Sequence, residues 1–136
     1  MRIIAKALII NQNNEILVLR RSSTHPNFPF HYDFPGGETK DNEDNTQVVV
    51  REILEETGLR ILPASLELVY QKEIPGTDTK NVLFKTQIDN NKQNISISWE
   101  HDLFLWLKPA DIIRAPKHNN LDPFYVTALE YIKQIV

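Results

Sequence analysis

The segment from Gly37 to Leu59 constrains the fold of this chain more than any other stretch of the sequence. It places Glu52, Glu55 and Glu56 at the i, i+3 and i+4 positions of one helix. Side chains at these spacings share a face of the helix, so the sequence predicts an acidic face opposite an apolar one. We expect the apolar face to consist of Val49, Val50, Ile53 and Leu54.

An acidic face of this kind needs compensation, because like charges one helical turn apart destabilise a helix. A hard divalent cation would provide it, since Mg²⁺ prefers carboxylate oxygens and keeps coordination positions for water and phosphate. The alternative is an ordinary surface helix with ion pairs such as Arg51 with Glu55. That alternative accounts for single pairs, but not for the glycines at both ends of the segment, Gly37 and Gly58.

The same segment resembles the signature of the Nudix hydrolases, G-x5-E-x7-R-E-U-x-E-E-x-G-U, in which U is a bulky aliphatic residue. Every specified position is filled, by Gly37, Glu43, Arg51, Glu52, Ile53, Glu55, Glu56, Gly58 and Leu59. The length of the chain is similar to that of the small, MutT-like members. The resemblance implies an α/β/α sandwich with a mixed sheet, in which the signature forms a loop–helix–loop beside the sheet.

The rest of the sequence predicts the same class from its own patterns. We expect a hairpin of strands 2–10 and 15–20, a loop over 22–32, and a tight turn over 33–37. Asp44 and Gln47 form a capping box that begins the signature helix, and Gly58 is a typical left-handed residue at its end. Further strands are expected over 66–72, 82–88, 95–99 and 103–107, a short helix over 110–114, and a last helix from Asp122 to Ile135.

Composition limits the kind of protein. A chain of 136 residues supports one domain, here 1–136, and its apolar fraction of 41% is ordinary for a globular protein. A net charge of −3 argues against binding a nucleic-acid polymer, and the absence of cysteine excludes thiolate chemistry. The sequence has no stretch of about 18 apolar residues that would span a membrane and no signal peptide, so we expect a cytoplasmic protein.

The resemblance also assigns roles within the signature. It implies that Glu52, Glu55 and Glu56 bind Mg²⁺, or alternatively Mn²⁺, together with a backbone carbonyl near Gly37. It implies that Arg51 orients one of the helix glutamates. Glu43 has a supporting role in the family, for which structural and functional interpretations are evenly balanced.

The general base is left open by the resemblance, because some relatives use a glutamate of the signature and others a glutamate in a later loop. Glu100 is the later candidate, which the resemblance implies can also reach the metal as a further ligand, and an ordinary surface position is the alternative. For substrate contacts we consider Arg20, Arg21, Phe28, Tyr32 and Lys117. His25 and His31 lack metal-ligand spacing and are expected to be structural or surface residues.

For the substrate, the resemblance implies a nucleoside diphosphate linked to a further group. The first choice is a nucleoside triphosphate, oxidised or not, that is cleaved to the monophosphate and pyrophosphate. The second is ADP-ribose or a nucleotide sugar, because Pro75 lies sixteen residues after Leu59, which resembles the spacing in ADP-ribose-cleaving relatives, although any turn between strands also favours Pro-Gly. The third is a non-catalytic module that binds nucleotides. A homodimer is common in the family.

Overall fold

A nine-residue strand rich in β-branched and apolar residues, β1 (Arg2–Ile10), lies at the centre of a mixed sheet in the computed structural model. The structure describes residues 1–40 and 42–136. Six further strands follow: β2 (Ile16–Arg21), β3 (Tyr32–Asp33), β4 (Gly36–Glu38), β5 (Glu67–Ile74), β6 (Thr79–Gln87) and β7 (His101–Leu107). The helices are α1 (Asn45–Thr57), α2 (Pro109–Arg114) and α3 (Pro123–Ile135).

The sheet is mixed, as the order of elements predicts. Its strands run β3-β2-β1-β6-β5, while β4 pairs with β1 and β7 pairs with β2. The pairing of β1 with β6 is parallel and unbroken from Arg2 with Thr79 to Ile10 with Gln87. The other pairings are antiparallel.

Two apolar cores, one on each face of the sheet, confirm the expected sandwich. Alternate residues of β1 and β6 face in opposite directions. One core joins the sheet to α1 through residues that include Ala5, Val82 and Ile53. The other core joins the opposite face to α2 and α3, and includes Leu8 and Leu83.

The ends of the signature helix are as the sequence predicts. The Asp44 carboxylate accepts a hydrogen bond from the backbone N–H of Gln47 at 2.8 Å, and the Gln47 side chain accepts one from the Asp44 N–H. Gly58 ends the helix with φ of +75°, a conformation that costs a side-chain-bearing residue stability.

The predicted apolar face of this helix is wrong in part. Its buried residues include Val48, Val49 and Ile53, whereas Leu54 is 40% exposed and Val50 is only half-buried. The difference arises because the helix turns Glu56, instead of Leu54, towards the sheet. The three signature glutamates therefore do not share one solvent-facing stripe.

Two further predictions need correction. Residues 95–99 do not form a strand, because the N–H groups of Ser96 and Ser98 bond to the carbonyls of Thr57 and Glu56 at the end of α1. The glycines of the expected tight turn lie in the short strand β4, where Gly36 pairs with Lys6. The last helix matches its prediction, although Ile135 at its end is 48% exposed.

A buried cluster of charges connects the strands beside the signature. The Asp33 carboxylate accepts hydrogen bonds from Lys6 Nζ at 2.7 Å and Arg21 Nε at 3.1 Å. The guanidinium of Arg21 also binds the carboxylate of Asp122, the residue that begins α3. Burial alone would raise the pKa of Asp33. The two cations and His101 nevertheless hold that pKa well below its usual range.

Asp33→Asn is expected to lower the free energy of unfolding by about 3–5 kcal/mol, because it leaves Lys6 and Arg21 as buried cations without their counter-charge. Urea unfolding would measure the loss. Asp102→Asn is the matched control, since its carboxylate pairs with Arg20 at the surface and should have a much smaller effect. Equal losses in the two variants would contradict the importance of the buried network.

The same variant has a pH signature. Because the folded pKa of Asp33 lies below the unfolded value of about 3.9, its ionised form stabilises the fold above that pH. This contribution is lost as the pH falls towards the folded pKa. The difference in stability between the native chain and Asp33→Asn should therefore shrink below about pH 4.

Candidate functional site

The strand β4 brings the glycine end of the signature against the acidic helix. A Cβ on Gly36 would lie 2.6 Å from Lys6 Cγ and closer still to the backbone of β1. A Cβ on Gly37 would lie 2.9 Å from Glu52 Cδ. Gly36 is therefore required by its close approach to the backbone of β1, whereas a side chain at Gly37 would displace the Glu52 carboxylate.

Arg51 lies at the centre of the acidic side chains. Its guanidinium donates two hydrogen bonds to Glu43, at 2.9 and 3.1 Å, and one to Glu52 Oε1 at 2.8 Å. The carboxylate of Glu55 lies 3.6 Å away. A planar guanidinium that binds two carboxylates in this way fixes their orientation better than a lysine would.

Glu56 is the buried member of the group, with 4% of its surface exposed. Its Oε1 accepts a hydrogen bond from the Gly36 N–H at 2.9 Å. Burial, and then the charge of Asp33, raises the pKa of Glu56 well above its usual range, whereas Lys6 and the Gly36 N–H act in the opposite direction. Burial also raises the pKa of Glu52, with contributions from Glu55 and Glu100.

The chemistry of this group suits a hard divalent cation. It offers carboxylate oxygens from Glu52, Glu55 and Glu56, and the one positive charge of Arg51 is already shared by several acids. Within residues 1–40 and 42–136, however, no three such side chains converge into a ready ligand set. Glu52 bonds to Arg51 and Glu56 to Gly36, each through Oε1, and each carboxylate has a second oxygen that could face an ion.

A cavity of about 480 Å³ opens beside Gly37. Its floor is the face of the sheet that carries Ile4 and Lys6 of β1 with Thr79 and Asn81 of β6. Its walls come from the loop after β2 and from the start of α3. The wall residues are Arg21, His25, Asn27, Phe28, Asp122, Pro123 and Phe124.

Two of the five predicted substrate contacts line this cavity, namely Arg21 and Phe28. Phe28 has φ of +52°, an uncommon conformation for a bulky residue, and its ring lies 5.6 Å from the Arg21 guanidinium. The other three lie elsewhere. Arg20 pairs with Asp102, Tyr32 packs on the α3 core, and Lys117 donates to carbonyls at the end of α2.

The candidate base, Glu100, is about one-third exposed and lies 3.8 Å from His25 Nε2. Its backbone carbonyl accepts a hydrogen bond from Ser22. His25 lines the cavity, and burial lowers its pKa. His31 stacks on His118 at 3.7 Å, and burial with the charge of His118 lowers its pKa.

Three residues that line the cavity, Lys6, Asn81 and Asp122, were not predicted as site residues. Lys6 is a single polar residue inside the apolar run of β1, and Asn81 lies one residue before the predicted strand 82–88, so neither position signals a site. Asp122 is predicted as the residue that begins α3, and its ion pair with Arg21 depends on a residue 101 positions earlier.

The close packing of Gly36 is open to test. Gly36→Ala is expected to lower the free energy of unfolding by at least about 3 kcal/mol, because it adds backbone strain at φ of +145° and a clash with β1. Gly76→Ala is the control, with φ of +76° and open space around the new methyl group, and should cost about 1–2 kcal/mol. Thermal unfolding would compare them, and an equal cost would contradict the close packing.

None of the helices in the described ranges has both the length and the apolar character needed to cross a bilayer.

The chain is similar to known proteins in both sequence and fold. The model of the NUDIX domain matches residues 1–128. A curated relative, the 8-oxo-dGTP diphosphatase of Escherichia coli (strain K12), is 38% identical over 72 residues, which are 53% of this chain and 55% of that protein. The chain thus matches about half the length of that relative.

Solved structures show the same fold. The MutT protein from Methanosarcina mazei Go1 superposes with a TM-score of 0.77 at 24% identity, over 97% of this chain and 90% of that one. The NUDIX domain of Shewanella oneidensis NrtR, in complex with ADP ribose, superposes with a TM-score of 0.71 at 19% identity, over 98% and 86% of the two chains.

Proposed function

We propose, from the premise that the chain belongs to the NUDIX domain family, that it hydrolyses a phosphoanhydride bond in a nucleoside diphosphate linked to a further group. The observation that carries the proposal is the arrangement around Arg51, which binds Glu43 and Glu52 and holds Glu52 beside Gly37, a residue that lines the cavity. A nucleoside triphosphate that yields monophosphate and pyrophosphate is the leading substrate. The partial match to an 8-oxo-dGTP diphosphatase supports this choice.

The residues have distinct tasks in this proposal. Glu52, Glu55 and Glu56 would hold Mg²⁺, with Mn²⁺ as an alternative, together with a backbone carbonyl near Gly37. The bound ion would supply charge neutralisation at the phosphates and lower the pKa of a coordinated water. Arg51 keeps Glu52 oriented through its 2.8 Å hydrogen bond, and Glu43 in turn keeps Arg51 in place.

A second candidate substrate is ADP-ribose or a nucleotide sugar. The turn that contains Pro75 borders the cavity, since Ile74 and Thr77 line it. The NrtR domain named above was solved with ADP ribose. A third candidate, a binding module without turnover, predicts nucleotide affinity with no Mg²⁺-dependent release of product.

A Mg²⁺-dependent screen of nucleoside triphosphates, 8-oxo-dGTP, ADP-ribose, nucleotide sugars and dinucleoside polyphosphates would test the proposal. Glu56→Gln should lower kcat/KM about 10²-fold or more, because an amide is a poorer ligand than a carboxylate. The amide can still accept the hydrogen bond from Gly36, so the fold should be retained. Glu67→Gln, at an exposed ion pair with Lys85, is the matched control.

Two results would count against the proposal. Turnover that is independent of divalent metal would contradict the role of the glutamates. Absence of any turnover with every substrate of the screen, in a folded protein that binds nucleotides, would favour the binding module.

The general base is tested separately through Glu100. We expect Glu100→Gln to lower kcat about 10²-fold, because a glutamine amide cannot accept the proton that a general base takes from water. Glu100 is near enough to Glu52 to contribute to its raised pKa. Asp102→Asn, two residues away and paired with Arg20, is the control. Unchanged turnover in Glu100→Gln would assign the base to a glutamate of α1.

A further inference from the structure

Asn81, a residue of the cavity floor, has one side-chain atom without a protein partner. Asn81 is 1% exposed, and its Oδ1 accepts no hydrogen bond from residues 1–40 or 42–136. In those same ranges the other buried side-chain nitrogens and oxygens without a partner belong to His31 and His101, which do not line the cavity. An unpaired buried carbonyl is costly unless a ligand or solvent satisfies it.

The orientation of the Asn81 amide is fixed by its neighbour in α3. The Thr127 hydroxyl lies 3.1 Å from the Pro123 carbonyl, to which it donates its only proton. The same oxygen must therefore accept from Asn81 Nδ2, which lies 3.1 Å away. With the Thr127 proton donated to Pro123, a reversed amide would set two acceptors against each other, and Oδ1 is the free atom in this arrangement.

The surroundings of Asn81 suit a flat heterocycle. Ile4 is its register partner on β1, and Phe124 lies at the start of α3. Phe28, across the cavity, is held in an uncommon left-handed conformation, which persists only where the surrounding structure enforces it. Beside the charged Lys6, Arg21 and Asp122, the cavity thus offers aromatic and aliphatic surface next to an unpaired acceptor, and ligand pockets commonly combine apolar walls with a few polar groups that fix orientation.

We propose that Asn81 is the residue with which this chain recognises the nucleobase, its Oδ1 accepting a hydrogen bond from an N–H group of the base. The inference rests on the proposed function for the presence of a nucleotide in this cavity. It goes further by naming a specificity-determining contact outside the signature. A purely structural Asn81 would need only its Nδ2 bond to Thr127, and its carbonyl would then have no effect on ligands.

The test uses binding instead of turnover, so that it is independent of the reaction. Titration calorimetry on the full chain in EDTA would compare GMP and AMP with ribose 5-phosphate, which lacks a base. Asn81→Leu should weaken binding of the two nucleotides about tenfold or more and leave ribose 5-phosphate within about twofold. Asn94→Leu, at an exposed position, should bind all three ligands like the native chain.

Two further measurements guard against a variant that fails to fold. In the native chain labelled with ¹⁵N, the side-chain amide signals of Asn81 should shift with GMP or AMP and not with ribose 5-phosphate. Thr127→Val retains the carbonyl of Asn81 and frees its amide to rotate, so it should reduce the preference for nucleotides less than Asn81→Leu does.

Several outcomes would overturn the inference. These are nucleotide binding by a folded Asn81→Leu equal to that of the native chain, an equal loss for ribose 5-phosphate, and amide signals unmoved by nucleotides. A native chain that binds nucleotides no better than ribose 5-phosphate also overturns it. Base-dependent binding through Asn81 without any turnover would instead contradict the proposed hydrolysis alone.

Discussion

A buried carboxylate, that of Asp33, holds together the strands on which the cavity and the acidic helix both depend. It pairs with a lysine of β1 and an arginine of β2, and through Arg21 the network reaches Asp122 at the start of α3. Charges inside a protein are costly unless each is paired, so only one arrangement of these elements satisfies both cations. Lys6, Arg21 and Asp122 also line the cavity, and the interaction that fixes the fold therefore fixes the shape of the site.

Much of the architecture was predictable because its signals are local. The capping box at Asp44, the left-handed Gly58 and the Asp122-Pro123 start of α3 all depend on residues within a few positions of each other. The spacing of the signature likewise identified Arg51 and its glutamates as one group, and the structure places Arg51 in direct contact with Glu43 and Glu52. Periodicity and end signals are sufficient where a helix is long and well capped.

The parts that could not be predicted depend on contacts between distant segments. Residues 95–99 have the composition of a strand, yet their N–H groups bond to the end of α1 instead of to a neighbouring strand. Glu56 was predicted on an acidic face opposite the apolar one, and the structure buries it against β4, where it accepts the N–H of Gly36, twenty positions earlier. The isolation of Asn81 Oδ1 depends on a hydroxyl 46 positions later, whose proton is already donated to Pro123.

The unbroken parallel register of β1 and β6 has a consequence for how such a protein can change. Residues that face the cavity, such as Ile4 and Asn81, alternate with residues that support the acidic helix, such as Ala5 and Val82. A substitution at Ile4 or Asn81 removes no side chain that packs on α1, although Lys6 on the same face also contacts Asp33. An insertion of one residue would exchange the two faces and lose both at once. Point substitution, and not a change in strand length, is therefore the accessible route by which a new selectivity could evolve on this sheet.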